Sequence, residues 1–531
     1  MSKKRIIILG GGFAGANTAL QLERRLRRRN DVEIVLVSKE NYMVFQPMLP
    51  EVISGNIGIL DTVTPIRRLA PKTQLYIRSV KHVDVEKQQV TLSPGFDSAA
   101  TVLEYDHLVV TLGNVADFRQ MPGLHDHAFP FKNLVHALRL RDHLIHVLSE
   151  AAITTDPSLR QQLLTFVIGG GGFSGVKVCA ELNDFVRDCA RRYFSIDPNE
   201  IRVVLVHDGE RILNREMPDK LALYAQDLLK KRGVEFIFKM RLQTATPEFA
   251  LLANGDRIPT RTLVSSVPSS PNPVVLRLDV PLNRGRIEAD LKMQVKGFRN
   301  VWALGDCALI PNPKEDGFCP PTAQFAVRQA KTCADNVVAA IDDRPQTDFT
   351  FSELGKMASL GHRRAIIRMF DMINLHGFVA WLIWRMAYWV KLPGFDRKIK
   401  VGMSWLMDIF CGRELVQTGM DQPTALIESH YETGEMVAHK GDSRTGVSII
   451  LAGAAEILSG EDGDEPQVIG ELGPGDCFGV SEFLEKSKAT HSIRCRETMD
   501  VVTYRKQELE PLLLLPEFRR SFENLRLENK E

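Results

Sequence analysis

Apolar positions along this chain fall into one arrangement that occurs twice. Ile6-Ile7-Ile8-Leu9 is an unbroken aliphatic run, the pattern of a strand buried on both faces. A glycine-rich turn follows, and Ala16–Arg28 then reads as a helix. The same order recurs with the strand Leu163–Ile168, a second glycine-rich turn and the helix Val176–Cys189. Glu33–Ser38 (EIVLVS) and Arg202–Val206 (RVVLV) supply the next strand of each unit. Tyr105–Gly113 (YDHLVVTLG) and Asn300–Ala308 (NVWALGDCA) read as further buried strands. Strands alternating with helices in this way predict an α/β architecture built on parallel sheets.

The turns give the pattern a chemical meaning. Gly10, Gly12 and Gly15 form G-x-G-x-x-G around Phe13 and Ala14, and Gly170, Gly172 and Gly175 do so around Phe173 and Ser174. The first glycine permits the tight turn, the second lets the backbone approach a pyrophosphate, and the third lets helix and strand pack closely. The helix N-terminus then offers free N–H groups to the phosphates. Each turn lies between a strand and a helix, so two Rossmann-type domains and two dinucleotides are expected. At the end of the second strand Ser38, Lys39 and Glu40 are candidates to hold a ribose, with Glu40 preferred; His207 takes that place in the second unit. Asp306, after Gly305, has the acceptor oxygens to bind polyol hydroxyls such as those of a ribityl chain.

Composition changes this picture little. The chain has 531 residues, 44% hydrophobic and 25% charged, an ordinary globular balance with room for three or four domains. A net charge of +1 gives no reason to expect nucleic acid. The basic stretch Leu22–Asn30 (LERRLRRRN) reads as a solvated helix face, with attraction to an anionic membrane as the alternative. None of the eight cysteines forms C-x-x-C, so reduced, buried thiols in a cytoplasmic setting are expected, and no metal centre. The basic start MSKKRIIILGGG runs straight into a strand, and no signal peptide is expected.

Taken together, the two turns and the Gly305-Asp306 segment resemble the two-dinucleotide flavoprotein disulfide-reductase-like fold. That resemblance implies FAD in the first turn, NAD(P)H in the second, and Asp306 on the ribityl chain. No suitably spaced cysteine pair is present, and the chain looks closer to the type II NADH:quinone oxidoreductases over about residues 3–415. The likeness rests on NYMVFQPMLPEV (Asn41–Val52), the turns, LGDCA (Leu304–Ala308) and PPTAQFAVRQA (Pro320–Ala330). It implies NADH as reductant, with NADPH as the alternative, and a membrane quinone as acceptor. It also places Gln46, Gly113, Ala323 and Gln324 at the flavin, and Gln324 and Arg328 beside the quinone. Ala323, Gln324 and Ala326 match the family's A-Q-x-A-x-Q signature, but Arg328 stands where its second Gln is usual.

Further departures fall on the second unit. Lys177 replaces the Glu that follows the third glycine, reversing a charge expected near nicotinamide and flavin, and is counted with the reacting residues. His207 replaces the ribose-binding Glu, which weakens discrimination against NADPH and leaves Arg211 or Lys177 to meet a 2′-phosphate. SSVPSSP (Ser265–Pro271) stands where relatives have a TAG-like segment. These departures also allow a different class of function, a flavin-containing redox sensor with degraded NADH oxidation.

Four of the five tryptophans, Trp381, Trp384, Trp389 and Trp405, fall within 25 residues. The apolar run 377–390, broken by Arg385, is shorter than the ~20 residues needed to span a bilayer. With flanking Lys and Arg, it and a second helix at 399–410 predict amphipathic membrane-docking helices; a buried homodimer interface is the alternative. The expected location is peripheral, on the cytoplasmic face of the inner or plasma membrane. From about His430 short glycine-punctuated strands resemble a cyclic-nucleotide-binding β-roll, closed by a helix at Glu508–Leu525. Val480 stands where ligand-competent members carry Glu, and Ser487 where they carry the phosphate-pairing Arg, with Lys488 a weak substitute. A cyclic nucleotide is therefore not expected, and a structural, dimerising or regulatory role is. The expected domains are 1–155 with 280–345 for FAD, 156–279 for NAD(P)H, 346–415 for membrane docking and 425–531 for the β-roll.

Overall fold

The structure, a computed structural model, describes residues 3–95, 100–116, 127–193, 195–266, 269–370, 372–410, 416, 426–431, 433–438, 440–441, 446–459, 467–485, 489–505 and 509. The chain divides into two compact units. One contains Met1–Ala116, Lys132–Ala137 and Pro268–Arg413; the other contains Asp117–Phe131, Leu138–Val267 and Glu414–Glu531.

The ten strands that carry the two dinucleotide turns are β1 (Lys4–Leu9), β2 (Val32–Ser38), β3 (Gln74–Ile77), β4 (His107–Val110), β5 (Ala128–Pro130), β6 (Thr165–Gly169), β7 (Arg202–Val206), β8 (Val234–Ile237), β9 (Thr262–Ser265) and β10 (Val301–Ala303). In the first unit the sheet order is β10-β4-β1-β2-β3, and all neighbours are parallel. In the second unit the order is β5-β9-β6-β7-β8, again all parallel. Central strands of such sheets are covered on both faces, and Ile6, Ile7, Ile8 and Leu9 are all fully buried.

Helix α1 spans Phe13–Arg25 and α2 spans Phe173–Ala190. Both start three residues before the apolar periodicity suggests, because each turn's second glycine is the cap and its last three residues already form helix. Two expected strands are shorter than their apolar runs. Only His107–Val110 and Val301–Ala303 pair with neighbours, and Gly305–Cys307 is a short 3-10 turn. Gly113 and Gly305 adopt positive φ, which takes each chain out of the sheet plane.

Helix α3 (Ala323–Ile341) packs on the first unit, and α1 meets it through charge as well as contact. Arg25 pairs with Asp335, and Arg29 pairs with Asp342 and, at 2.6 Å, with Asp31. Part of the Leu22–Asn30 basic stretch is thus spent inside the protein. A three-stranded antiparallel sheet (Gly355–Ser359, Ala365–Met369, Ile373–His376) leads into α4 (Gly377–Lys391) and α5 (Phe395–Phe410). Among the described residues no helix is long and apolar enough to cross a membrane.

In the second unit, strands from Leu426 to Arg505 form an antiparallel sheet around Ile450, Phe478, Ile493, Met499 and Val501. Val480 opens a short helix, Val480–Glu485. Ser487, Lys488 and, apart from residue 509, the expected closing helix lie outside the described residues. The seven cysteines for which a state is described are free and buried.

Candidate active site

Each turn is built by backbone contacts that leave no room for a side chain. A methyl group on Gly15 would lie 2.5 Å from Thr111 Oγ1 and closer still to Gly10 O. One on Gly175 would lie 2.7 Å from Ser266 Oγ and closer still to Gly170 O. The hydroxyls lock the turns: Thr111 Oγ1 donates to Leu9 O at 2.7 Å, and Ser266 Oγ donates to Gly169 O at 2.7 Å. Neither residue stands out in the sequence, because each acts from a distant strand end. Ser266 belongs to the SSVPSSP departure, which therefore supplies the lock of the second turn.

Gly12 behaves differently: an added methyl would meet nothing within 4 Å. The same holds for Gly113. These are cradles that a Cβ would fill from the open side, as a dinucleotide approaching bare backbone requires. Ser38 ends β2 with its side chain against Gly11, and Glu40 N–H donates to Ser38 Oγ at 3.3 Å. Glu40 is exposed and hydrogen-bonds Tyr42, while Lys39 is exposed beside it. Ser38, the more buried, is thus nearer the turn than Glu40. Gly305 faces Ala14, since a methyl on it would lie 3.1 Å from the Ala14 side chain. The first turn and the Gly305-Asp306 segment therefore meet. Burial pushes the Asp306 carboxyl up, against the charges of Arg286 and Lys132. A carboxylate held there away from water suits a hydroxyl-rich ligand.

The segment after Pro320 divides its polar residues between two tasks. Gln329 is buried, and its Oε1 accepts the Gly305 N–H at 3.0 Å. It fixes the turn ahead of Asp306, a role hidden in sequence by its neighbour Arg328. Gln324 donates from Nε2 to Gly355 O at 2.9 Å, and its buried Oε1 has no hydrogen-bond partner among the described residues. Arg328 donates to Gln324 O at 3.1 Å and stacks 4.1 Å above the Phe351 ring. Burial lowers its pKa from the usual value. Ala323 opens the helix that carries all three. Gln46 donates to Lys132 O at 3.4 Å.

From the first turn a series of rings runs to α4. Phe13 meets Phe45 at 5.8 Å, Phe45 meets Tyr388 at 5.9 Å, and Tyr388 meets Trp384 at 5.1 Å. Burial pushes the Tyr388 phenol up to about 12, so the ring stays neutral. Lys391, whose Nζ lies 5.8 Å from the Tyr388 ring, lines with Leu382, Ile383, Met386, Ala387 and Val390 an open groove of about 510 Å³ on the outer face of α4. Arg385 is buried between Trp381 and Trp405, 4.1 and 4.5 Å from their rings, and Trp405 donates to Glu51 at 3.1 Å. The charge that interrupts the apolar run thus turns inward, which leaves the outer face of α4 apolar.

In the second unit the His207 ring lies 2.7 Å from where a Gly171 methyl would sit, with Nδ1 3.2 Å from Asp208. His207 therefore does lie at the turn. Lys177 Nζ lies 5.7 Å from the Phe173 ring, on the first turns of α2, where Ser174 is exposed. Arg211 donates to Leu213 O at 3.1 Å and pairs with Asp219 at 2.5 Å, so its guanidinium is already engaged rather than open to a 2′-phosphate.

A family model described as Pyridine nucleotide-disulphide oxidoreductase matches residues 4–330. The chain belongs to that family. A model described as NDH2 C-terminal domain matches residues 354–414, and one described as Cyclic nucleotide-binding domain matches residues 428–514. A probable NADH dehydrogenase of Dictyostelium discoideum is 28% identical over 425 residues, 78% of this chain and 91% of that protein. A type II NADH:quinone oxidoreductase of Staphylococcus aureus is 25% identical over 374 residues, 70% of this chain and 90% of its own. The solved NDH2 of Plasmodium falciparum in complex with NADH shares the fold with a TM-score of 0.71 at 17% identity, covering 78% of this chain and all of that one. The resemblance to type II NADH:quinone oxidoreductases, drawn from the motifs, is thereby established at the level of homology.

Proposed function

We propose that this chain is an NAD(P)H:quinone oxidoreductase with FAD at the first turn, NADH at the second and a membrane quinone at the α4 groove. The observation that carries the proposal is the line of rings from Phe13, in the first turn, to Tyr388, which Lys391 links to the apolar groove it lines. Bound FAD supplies the redox chemistry, taking hydride from the nicotinamide and passing electrons to the quinone. The protein's part is placement. Backbone N–H groups at Gly12–Gly15 receive the FAD pyrophosphate, Asp306 accepts from the ribityl hydroxyls, and Gln329 holds the Gly305 turn. Gln324 Oε1 is an acceptor for a flavin N–H or a quinol O–H, and Arg328 holds positive charge beside it.

The outer faces of α4 and α5 expose Phe378, Val379, Leu382, Met386, Val390, Ile399, Met403, Leu406 and Met407. So large an apolar surface, with the exposed Lys391 and Lys400 beside it, suits a bilayer surface, and the quinone then reaches the groove without leaving lipid. The location is peripheral, on the cytoplasmic face. The C-terminal segment is a β-roll in a structural, dimerising or regulatory role without cyclic nucleotide, since Val480 offers no ribose acceptor.

The test is anaerobic addition of NADH to the yellow protein. Bleaching within seconds, reversed by a soluble quinone, supports the proposal; colour that persists with both NADH and NADPH refutes it and favours the redox sensor.

A further inference from the structure

The two turns differ at their second glycine. A methyl group on Gly12 would meet nothing within 4 Å, whereas one on Gly172 would lie 2.9 Å from Glu216 Oε1. Gly172 caps α2, whose first turn contains no acidic residue of its own. Glu216 therefore brings a carboxylate to that helix end from elsewhere in the chain.

The segment that delivers it is firmly held. Leu213, in the left-handed region at φ 52°, donates its N–H to Gly171 O at 2.8 Å. Arg211 donates to the carbonyls of Ile212 and Leu213 at 3.3 and 3.1 Å and to Met217 O at 3.4 Å. The Arg215 N–H donates to Glu216 Oε2 at 3.2 Å. Residues 211–217 thus form a strap across the second turn, and among the described residues nothing comparable stands over Gly12. Asn214 and Arg215 are exposed and Glu216 is half-buried, so its side chain has solvent to move into.

A helix N-terminus attracts negative charge, and a carboxylate resting there competes with a phosphate for the same field. We propose that Glu216 sets the affinity of the second turn for its dinucleotide. Its carboxylate occupies the phosphate end of the turn when no nucleotide is bound, and must withdraw before the pyrophosphate can settle. This rests on the second turn being the nicotinamide site. The asymmetry fits the two roles: a resident cofactor gains from an open, uncontested turn, and a substrate that leaves after every turnover gains from a built-in competitor.

Calorimetric titration of the flavin-loaded full chain with ADP-ribose tests this, because ADP-ribose carries the pyrophosphate and no redox-active ring. Glu216→Gln should bind about five-fold tighter than wild type, about 1 kcal/mol at 1.4 kcal/mol per tenfold. ADP-ribose should also raise its melting temperature more than that of wild type. Glu216→Asp keeps the charge but shortens its reach, and should show a smaller gain, which covers the case in which glutamine disturbs the strap. Equal or weaker binding by both variants overturns the inference. Absence of binding by wild type overturns the nicotinamide assignment itself, a failure seen in a different arm of the same experiment.

Discussion

Replacing Gly12 and Gly15 separately by alanine should uncouple flavin binding from folding. At Gly15 the new methyl would press on Thr111 Oγ1 at 2.5 Å and on the Gly10 backbone. Neither can swing aside: Thr111 Oγ1 holds Leu9 O at 2.7 Å and Gly10 O at 3.1 Å, and Gly10 is main chain. Overpacking of this kind costs about 1–3 kcal/mol. The strained Thr111 hydrogen bonds add about 1 kcal/mol each, and the better helix propensity of alanine returns about 1 kcal/mol. The net expectation is a loss of about 2–4 kcal/mol. At Gly12 the methyl meets nothing within 4 Å among the described residues, and φ of −74° is open to any residue. Exchanging Gly for Ala at this cap should cost under about 1 kcal/mol. Yet the methyl would stand where pyrophosphate must approach the main chain. The assay is thermal unfolding of the flavin-free proteins, followed by reconstitution titration with FAD. Gly15→Ala should melt several degrees lower; Gly12→Ala should melt close to wild type and lose at least about tenfold in FAD affinity. Wild-type FAD affinity in Gly12→Ala would refute the reasoning outright, and an unchanged melting temperature in Gly15→Ala would refute its steric half.

Three other outcomes are expected. Gln329→Leu leaves the Gly305 N–H without its acceptor, at a cost of about 1–3 kcal/mol, and should show as lower flavin retention in the purified protein. His143 is half-buried with its Nε2 2.9 Å from Thr262 Oγ1, and the desolvation there, then the His146 charge, pushes its pKa down to about 4 from 6.5. Between those values the unfolded chain binds the extra proton, so stability that is complete above pH ~6.5 drains as pH falls toward ~4, by up to about 3 kcal/mol. Urea unfolding should show a shallower pH slope for His143→Asn over that window, and an unchanged slope would contradict the neutral imidazole. Lys177→Glu restores the carboxylate usual in relatives, and stopped-flow flavin reduction should then become faster with NADH; equal rates would make Lys177 a surface residue without a part in the reaction.

Both turns were legible in the chain because their requirements are local. A buried strand, three glycines at fixed spacing and a helix within about 25 residues leave few alternative conformations, and the backbone contacts at Gly15 and Gly175 bear this out. Both helices start three residues before their apolar periodicity, because periodicity reports which positions face the core, and the turn's last residues are helical before they are apolar. Residues that act across long separations were not legible. Thr111 and Ser266 are ordinary hydroxyls until parallel pairing sets them beside a glycine carbonyl; Gln329 is one of two adjacent polar residues until the helix turns it toward Gly305. Arg385 interrupts an apolar run in one dimension and in three is enclosed by Trp381 and Trp405. The sequence alone determined that this chain holds two dinucleotide turns, since φ/ψ preference and side-chain size act between near neighbours. Only the tertiary structure decided which side chains lock, line or obstruct those turns, because sheet pairing and helix packing bring together groups far apart in the chain, from Gly305 and Gln329 to Leu9 and Thr111.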